Sequence, residues 1–152
     1  MNVTGEFTVN APRDAVFKAL RDARSFVRFV DGVHDLRQID PTHYVAMFET
    51  KVAFNVIVEI IRVDECSKIE ANIGGTPLGV IRRLTASSVT KLEDCGSETK
   101  VTYSVNSTLA GKLGSIGQPV LRSKAKDMEK LFAQRVRAAF EADDHLERND
   151  PV

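Results

Sequence analysis

Export, redox and metal chemistry are the first things this sequence withholds. Its only two cysteines, Cys66 and Cys95, stand far apart without the CxxC spacing of a zinc or thiol–disulfide motif. The opening Met1–Glu6 offers neither a basic region nor the apolar run of a cleavable leader, so no disulfide is expected. Both thiols read as ordinary buried or strand-end groups. No stretch approaches the roughly eighteen consecutive apolar residues of a membrane span, and the chain is expected to be soluble and cytoplasmic. Net charge is missing too: 21 basic residues cancel 21 acidic ones, which removes the usual electrostatic pointer to nucleic acid.

Catalytic constellations are equally sparse. His34, His43 and His145 sit at unrelated spacings and make no metal site, so each reads as a solvent-exposed histidine. Gly114-Ser115-Ile116-Gly117 lacks the GxSxG spacing of a nucleophile elbow, and Gly111, Gly114 and Gly117 lack the lysine and hydroxyl order of a phosphate loop. Glu49, Glu59 and Glu93, with Arg82 and Arg83, fall in or near expected strands, where an inward carboxylate of raised pKa could act as acid or base. Parity, however, puts Glu59 opposite in direction to Val58 and Ile60, and a solvated outer sheet face accounts for the set. No catalytic residue, metal ligand or cofactor is assigned.

What the chain does have is one long amphipathic helix. From Pro119 to Glu141 the apolar residues Leu121, Ala125, Met128, Phe132, Val136 and Ala139 step by three or four, one stripe of a 3.6-residue period. At 1.5 Å per residue this helix would run about 34 Å, enough to cross a small domain. Upstream, residues 33–109 form a succession of β-branched and aromatic runs broken by turn residues. Strands are expected near 33–39, 43–52, 54–64, 68–74, 80–93 and 98–109, after a first strand around Phe7 and Val9. Asn10-Ala11-Pro12 should end that strand and start a helix with Val16, Ala19 and Leu20 inward, because proline suits a first helical turn. A second short helix around 23–30 carries Phe26, Phe29 and Val30 and ends at Asp31-Gly32.

These elements make an α+β layer arrangement in one domain, residues 1–141, with a polar acidic tail over 142–152. A chain of this length buries roughly 68 to 70 per cent of its unfolded surface without a disulfide or metal. Alternation selects the strand residues that face the helix: Tyr44, Ala46 and Phe48; Phe54, Val56, Val58 and Ile60; Ile69, Ala71 and Ile73; Val101, Tyr103, Val105 and Leu109. Small or polar residues recur among the inward positions, at Ala46, Thr50, Ala71, Ser107 and Gly111. They leave room between sheet and helix, though curvature and close packing would also ask for small residues there. Residues 111–137 hold seven cations against Asp127 and Glu129, so the last helix is basic.

Several strings resemble a known family. Phe7-Thr8-Val9-Asn10-Ala11-Pro12 leading into Val16-Phe17-Lys18-Ala19-Leu20-Arg21-Asp22, then Phe29-Val30-Asp31-Gly32, Thr99 to Val105, and above all Gly111-Lys112-Leu113-Gly114-Ser115-Ile116-Gly117, are similar to the CoxG family of carbon monoxide dehydrogenase subunits, within the START-like (SRPBCC) helix-grip superfamily. The resemblance runs to about Phe140. It implies a curved antiparallel sheet of about seven strands wrapped around the long C-terminal helix, two short helices after strand 1, and an apolar cavity. It also implies association with the membrane attachment of molybdenum-containing carbon monoxide dehydrogenase and related hydroxylases. Many members of the family carry a longer C-terminal anchor than the polar Asp143–Val152 here, so transient contact with the inner face of the cell membrane is expected.

On this frame the ligand space is placed between Phe26, Phe29, Tyr44, Phe48, Phe54, Val56, Tyr103, Leu121, Ala125 and Met128. Gly111, Gly114 and Gly117 would form a gate, and Lys112, Arg122, Lys124 and Lys126 would bring it to anionic lipid or an acidic partner. Two functions follow from different classes. One is a carrier of a hydrophobic small molecule, a quinone or other lipid, serving a molybdenum hydroxylase-type oxidoreductase. The other is a cofactor-free cyclase, dehydratase or isomerase, which a polar pair inside the cavity would favour.

Overall fold

The computed structural model describes residues 2–22, 24–49, 53–77, 84–109 and 118–148. Its elements run β1 (Asn2–Val9), α1 (Arg13–Arg21), α2 (Arg24–Phe29), β2 (Val33–Asp40), β3 (His43–Glu49), β4 (Ala53–Asp64), β5 (Lys68–Pro77), β6 (Leu84–Cys95), β7 (Glu98–Leu109) and α3 (Gln118–Arg148). The seven strands form one antiparallel sheet in the order β1-β7-β6-β5-β4-β3-β2. Consecutive strands from β2 to β7 are neighbours, and only β1 joins at a distance, beside the last strand. The two short helices and α3 cover the concave face, which is the helix-grip arrangement expected.

Strand parity is as the alternation requires. Tyr44, Ala46, Val58, Ile69, Ala71 and Val101 are buried, while Ile57, Ile61 and Glu59 on the other face are exposed. β1 is longer than expected: it pairs with β7 from Asn2↔Asn106 to Val9↔Thr99, so the polar Asn2 and Thr4 are held by ladder bonds rather than by burial. β5 runs past its expected end at 74 to Pro77, because Gly74 and Gly75 both remain in register with β4 and β6. α3 continues past Glu141 to Arg148. Residues 142–148 contain good helix formers and no glycine or proline, so nothing stops the helix there.

At the start of α1, the amide of Val16 bonds the Pro12 carbonyl at 3.1 Å, and Val16 and Phe17 turn inward. Gly32 ends α2 with φ +89°, as its position suggested, and its carbonyl accepts the Glu49 amide at 2.9 Å. Thr99 is wholly buried and donates from Oγ1 to the Ala11 carbonyl at 2.8 Å, which fastens β7 to the turn before α1.

Phe132 organises the core. It meets Phe7 of β1 edge-on at 5.8 Å and 82°, Phe29 of α2 at 6.3 Å and 89°, and Tyr103 of β7 at 6.5 Å and 73°. One turn on, Val136 has no exposed surface. Arg137 caps this region, donating from Nε to the Thr8 carbonyl at 3.0 Å with its guanidinium 5.9 Å from the Phe7 ring centre. The C-terminal half of α3 is thereby locked over β1 and β7.

Candidate functional site

Concave-face side chains away from that core are less completely covered. Phe48, Phe54, Val56, Ile73, Val105, Ala125 and Met128 are all half-buried, whereas Val9, Val101 and Val136 have no exposure. Phe48 and Phe54 face each other across β3 and β4 with ring centres 6.2 Å apart. Gly75 lies opposite Val56, and a Cβ there would make only ordinary contact with the Phe54 ring at 3.7 Å and Leu84 at 3.5 Å. Tyr44 lies further along β3, packed with Val58 and Ala71.

The expected site residues are therefore distributed over three places. Phe29, 1 % exposed, belongs to the packed core under Phe132. Tyr44 belongs to the central cluster, against which Val56 packs, and Phe48 and Phe54 pair at the opposite end of the same face. Ala125 and Met128 share the helix that crosses this face, and Tyr103 stands between the core and the less covered region. Phe26, Leu121, Arg122 and Lys124 are on described helices, but their side chains lie outside what the structure describes. Gly111, Gly114, Gly117 and Lys112 lie outside the described residues, as do Arg82 and Arg83; Lys126 is exposed.

Tyr103 is held from three sides. In register it faces Gly5 on β1 and Thr90 on β6. Its ring leans over Gly5, touches Phe7 at 6.3 Å and reaches toward Glu129 on α3. Burial first, then the charge of Glu129 and hydrogen bonding to it, push the phenol up to about 12. Glu129 is half-buried and falls four residues after Ala125 and three before Phe132, on the inward stripe. Reading that stripe from apolar residues alone passed over it.

A separate open cleft of about 970 Å³ lies where α1 meets the β2–β3 hairpin and the β4–β5 turn. Phe17, Leu36 and Tyr44 give it an apolar floor, and Asp14, Lys18, Arg21 and Glu65 rim it. Tyr44 donates to the Pro41 carbonyl at 3.4 Å and accepts from Gln38 at 3.4 Å.

The outer face carries two histidine–carboxylate clusters. His34 lies 2.9 Å from Asp35 and 3.1 Å from Glu49; His43 lies 2.9 Å from Asp40 and 3.2 Å from Glu59. Hydrogen bonding to Asp35 and Glu49 raises the His34 pKa, and hydrogen bonding to Asp40 raises that of His43. Glu49, Glu59 and Glu93 are exposed, so the strand carboxylates face solvent. Among the described residues no three histidine, cysteine or acidic side chains gather as a metal would require, and no helix is long and apolar enough to cross a membrane.

A family model for CoxG, described as a subunit of carbon monoxide dehydrogenase, matches residues 5–140. Compared with curated proteins, the chain has no match. Among solved structures, a conserved protein from Geobacillus kaustophilus superposes with a TM-score of 0.83 at 20% identity, covering 93% of this chain and 96% of the other. A START superfamily protein from Mycobacterium smegmatis gives 0.70 at 11% identity over 91% and 98%. A Rhizobium loti protein gives 0.68 at 15% identity over 89% and 96%. At these identities the structures establish the shared fold.

Proposed function

The chain belongs to the CoxG family of carbon monoxide dehydrogenase subunits, and from that premise we propose that it is a non-catalytic binding protein for a hydrophobic small molecule. The ligand, a quinone or another lipid, is held between α3 and the concave face, and the protein serves a molybdenum-containing carbon monoxide dehydrogenase-type oxidoreductase at the membrane surface. The supporting observation is the half-burial of Phe48, Phe54, Val56, Val105, Ala125 and Met128 beside a closed core. Covering apolar surface contributes about 25 cal/mol per Å², so an isoprenoid or acyl chain laid along these residues gains affinity with few polar contacts. In this reading Gly111, Gly114 and Gly117 form the gate, and Lys112, Arg122, Lys124 and Lys126 bring it to the inner membrane face.

One observation favours a cofactor-free cyclase, dehydratase or isomerase instead: the Tyr103 and Glu129 pair on the concave side. A phenol held up to about 12 stays protonated at neutral pH, which suits it to donating a hydrogen bond more than to exchanging a proton with substrate. The binding reading is preferred on that ground.

Ala125 provides the test. An indole at this position fills the space under α3, so a folded Ala125→Trp variant should lose uptake of quinones and lipids while keeping the wild-type circular dichroism spectrum. Native mass spectrometry of protein extracted gently from its own cells should show a hydrophobic adduct on the wild type alone. Equal uptake by both proteins would remove the ligand space from beneath α3.

A further inference from the structure

The cleft beside α1 opens apart from the less covered end of the concave face, yet it shares two of its three floor residues with that face. Leu36 and Tyr44 line the cleft and also belong to the concave cluster with Val58, Ala71, Val56 and Ile73. Phe17, the third, joins the packed core. Apolar side chains in contact therefore lead from the cleft onto the concave strands.

Strand direction sets where the two openings lie. The β2–β3 turn at 41–42 and the β4–β5 turn at 65–67 are at one end of the sheet, and Pro41, Glu65 and Cys66 in them line the cleft. At the other end β7 finishes at Leu109, in one cross-strand row with Leu84, Gly75 and Val56. The glycines of the proposed gate follow Leu109 in sequence. From Phe48, near that row, to Tyr44 is four residues of β3, about 13 Å at roughly 3.3 Å per residue. A hydrocarbon much longer than this span has to fold back or leave the face.

Tyr44 stands at the crossing, buried, with its hydroxyl held by the Pro41 carbonyl and by Gln38 at 3.4 Å each. Both contacts are longer than an ordinary hydrogen bond, so the phenol is loosely tied. At about 970 Å³ the cleft has the size of a small-molecule site, but its rim favours neither sign of charge, since Lys18 and Arg21 stand against Asp14 and Glu65. An apolar floor under such a rim suits a hydrocarbon chain on its way out to water better than a charged head.

We propose that the cleft is a second mouth of the ligand space, through which the far end of a long-chained ligand passes over Tyr44, Leu36 and Phe17 to solvent. This inference rests on the reading of the concave face as a ligand space, and it narrows the ligand class. Molecules whose hydrocarbon chain exceeds the concave span bind with the excess lying in the cleft, so the fold sets no upper limit on chain length.

Cys66 is a reporter already in place: it is half-buried in the cleft wall, whereas Cys95 is exposed at the end of β6 and does not line the cleft. The probes are para-dimethoxybenzenes carrying a butyl or a dodecyl chain, whose ring does not add thiols. Binding to the full chain is followed by calorimetry, and alkylation of each cysteine by iodoacetamide is followed by peptide mass spectrometry. Both probes should bind, the dodecyl one tighter by about fourfold for each further methylene buried. At saturation the dodecyl probe should protect Cys66 from alkylation, the butyl probe should not, and neither should protect Cys95. Leu36→Trp, which fills the cleft floor, should bring the dodecyl affinity down toward that of the butyl probe and leave butyl binding unchanged. The long probe should then no longer alter the Cys66 rate. Equal Cys66 alkylation with and without bound dodecyl probe, or protection that survives in Leu36→Trp, would overturn the second mouth and leave the ligand space standing. Labelling of the wild type decides this even should the tryptophan disturb folding. Binding of neither probe to wild type would overturn the ligand space itself, and the mouth with it.

Discussion

The hydroxyl of Tyr103 on β7 occupies the place where a side chain at Gly5 on β1 would begin. A Cβ built at position 5 would land on the Tyr103 Oη and Cζ, with Cε2 only 3.0 Å away. Because Gly5 and Tyr103 are cross-strand partners, the ring can lie flat over the edge strand and still reach Phe132 and Glu129.

Gly5→Ala should therefore displace the Tyr103 ring and destabilise the protein by about 1–3 kcal/mol, the usual range for overpacking. The loss should shrink in a Tyr103→Leu background, where the colliding atoms are gone. Denaturant midpoints of the two single variants and the double variant measure the coupling. Additive losses would mean that Tyr103 yields its position freely.

Tyr103 should also ionise late. Its folded pKa of about 12 stands above the ordinary 10.0, so it contributes stability that is complete below 10 and is lost as pH rises toward 12. An alkaline titration followed by phenolate absorbance should show a late step that disappears in Tyr103→Phe. In Glu129→Gln that step should move to lower pH, since the carboxylate charge holding the proton on is removed. No movement would mean that burial alone sets it.

The outer-face histidines set a second, milder pH dependence. His34 and His43 both have folded pKa values above the ordinary 6.5, so the contacts with Asp35 and Glu49, and with Asp40 and Glu59, stabilise fully below 6.5 and fade as pH rises through the raised values. Asp22 and Asp40 are shifted down from 3.8, so their contributions fade only on acidification below that value. Melting temperature should fall from pH 6 to pH 8, and the fall should be smaller in a His34→Asn, His43→Asn double variant. Both clusters are exposed, so the difference should be small. Identical slopes in the two proteins would assign the dependence to other groups.

The concave face was legible in the sequence because a strand repeats every two residues: Tyr44, Ala46 and Phe48, then Phe54, Val56, Val58 and Ile60, announce their direction without any tertiary information. Phe132 and Val136 were legible by the helical period. Glu129 was not, because an apolar search steps from Ala125 to Met128 and ignores a charge at the i+4 position. Its spacing, 125 to 129 to 132 to 136, was the available signal. The Gly5 and Tyr103 contact carries no local signal, since it depends on β1 pairing with the last strand. The end of β5 was misplaced for a related reason: the strand signal stops at the glycine pair Gly74-Gly75 until both neighbouring strands are in place to hold it extended.

The basic end of α3 supplies the last prediction. Lys126 is exposed, and Arg122 and Lys124 stand four and two residues before it on the same helix, which Lys112 precedes in sequence. Each cation near an anionic surface contributes about 1 kcal/mol, so four of them together supply about 4 kcal/mol at low salt, on the order of a thousandfold in affinity. Wild-type protein should sediment with vesicles containing phosphatidylserine at low ionic strength and be released as salt shortens the screening length. A variant with Lys112, Arg122, Lys124 and Lys126 changed to Gln should remain largely in the supernatant, with its melting temperature close to that of wild type. If the proposed gate works at the bilayer, ligand transfer from protein to vesicle should slow in the same variant. If wild-type protein stays in the supernatant at low salt, the basic helix faces an acidic protein surface, and the membrane part of the proposed function falls.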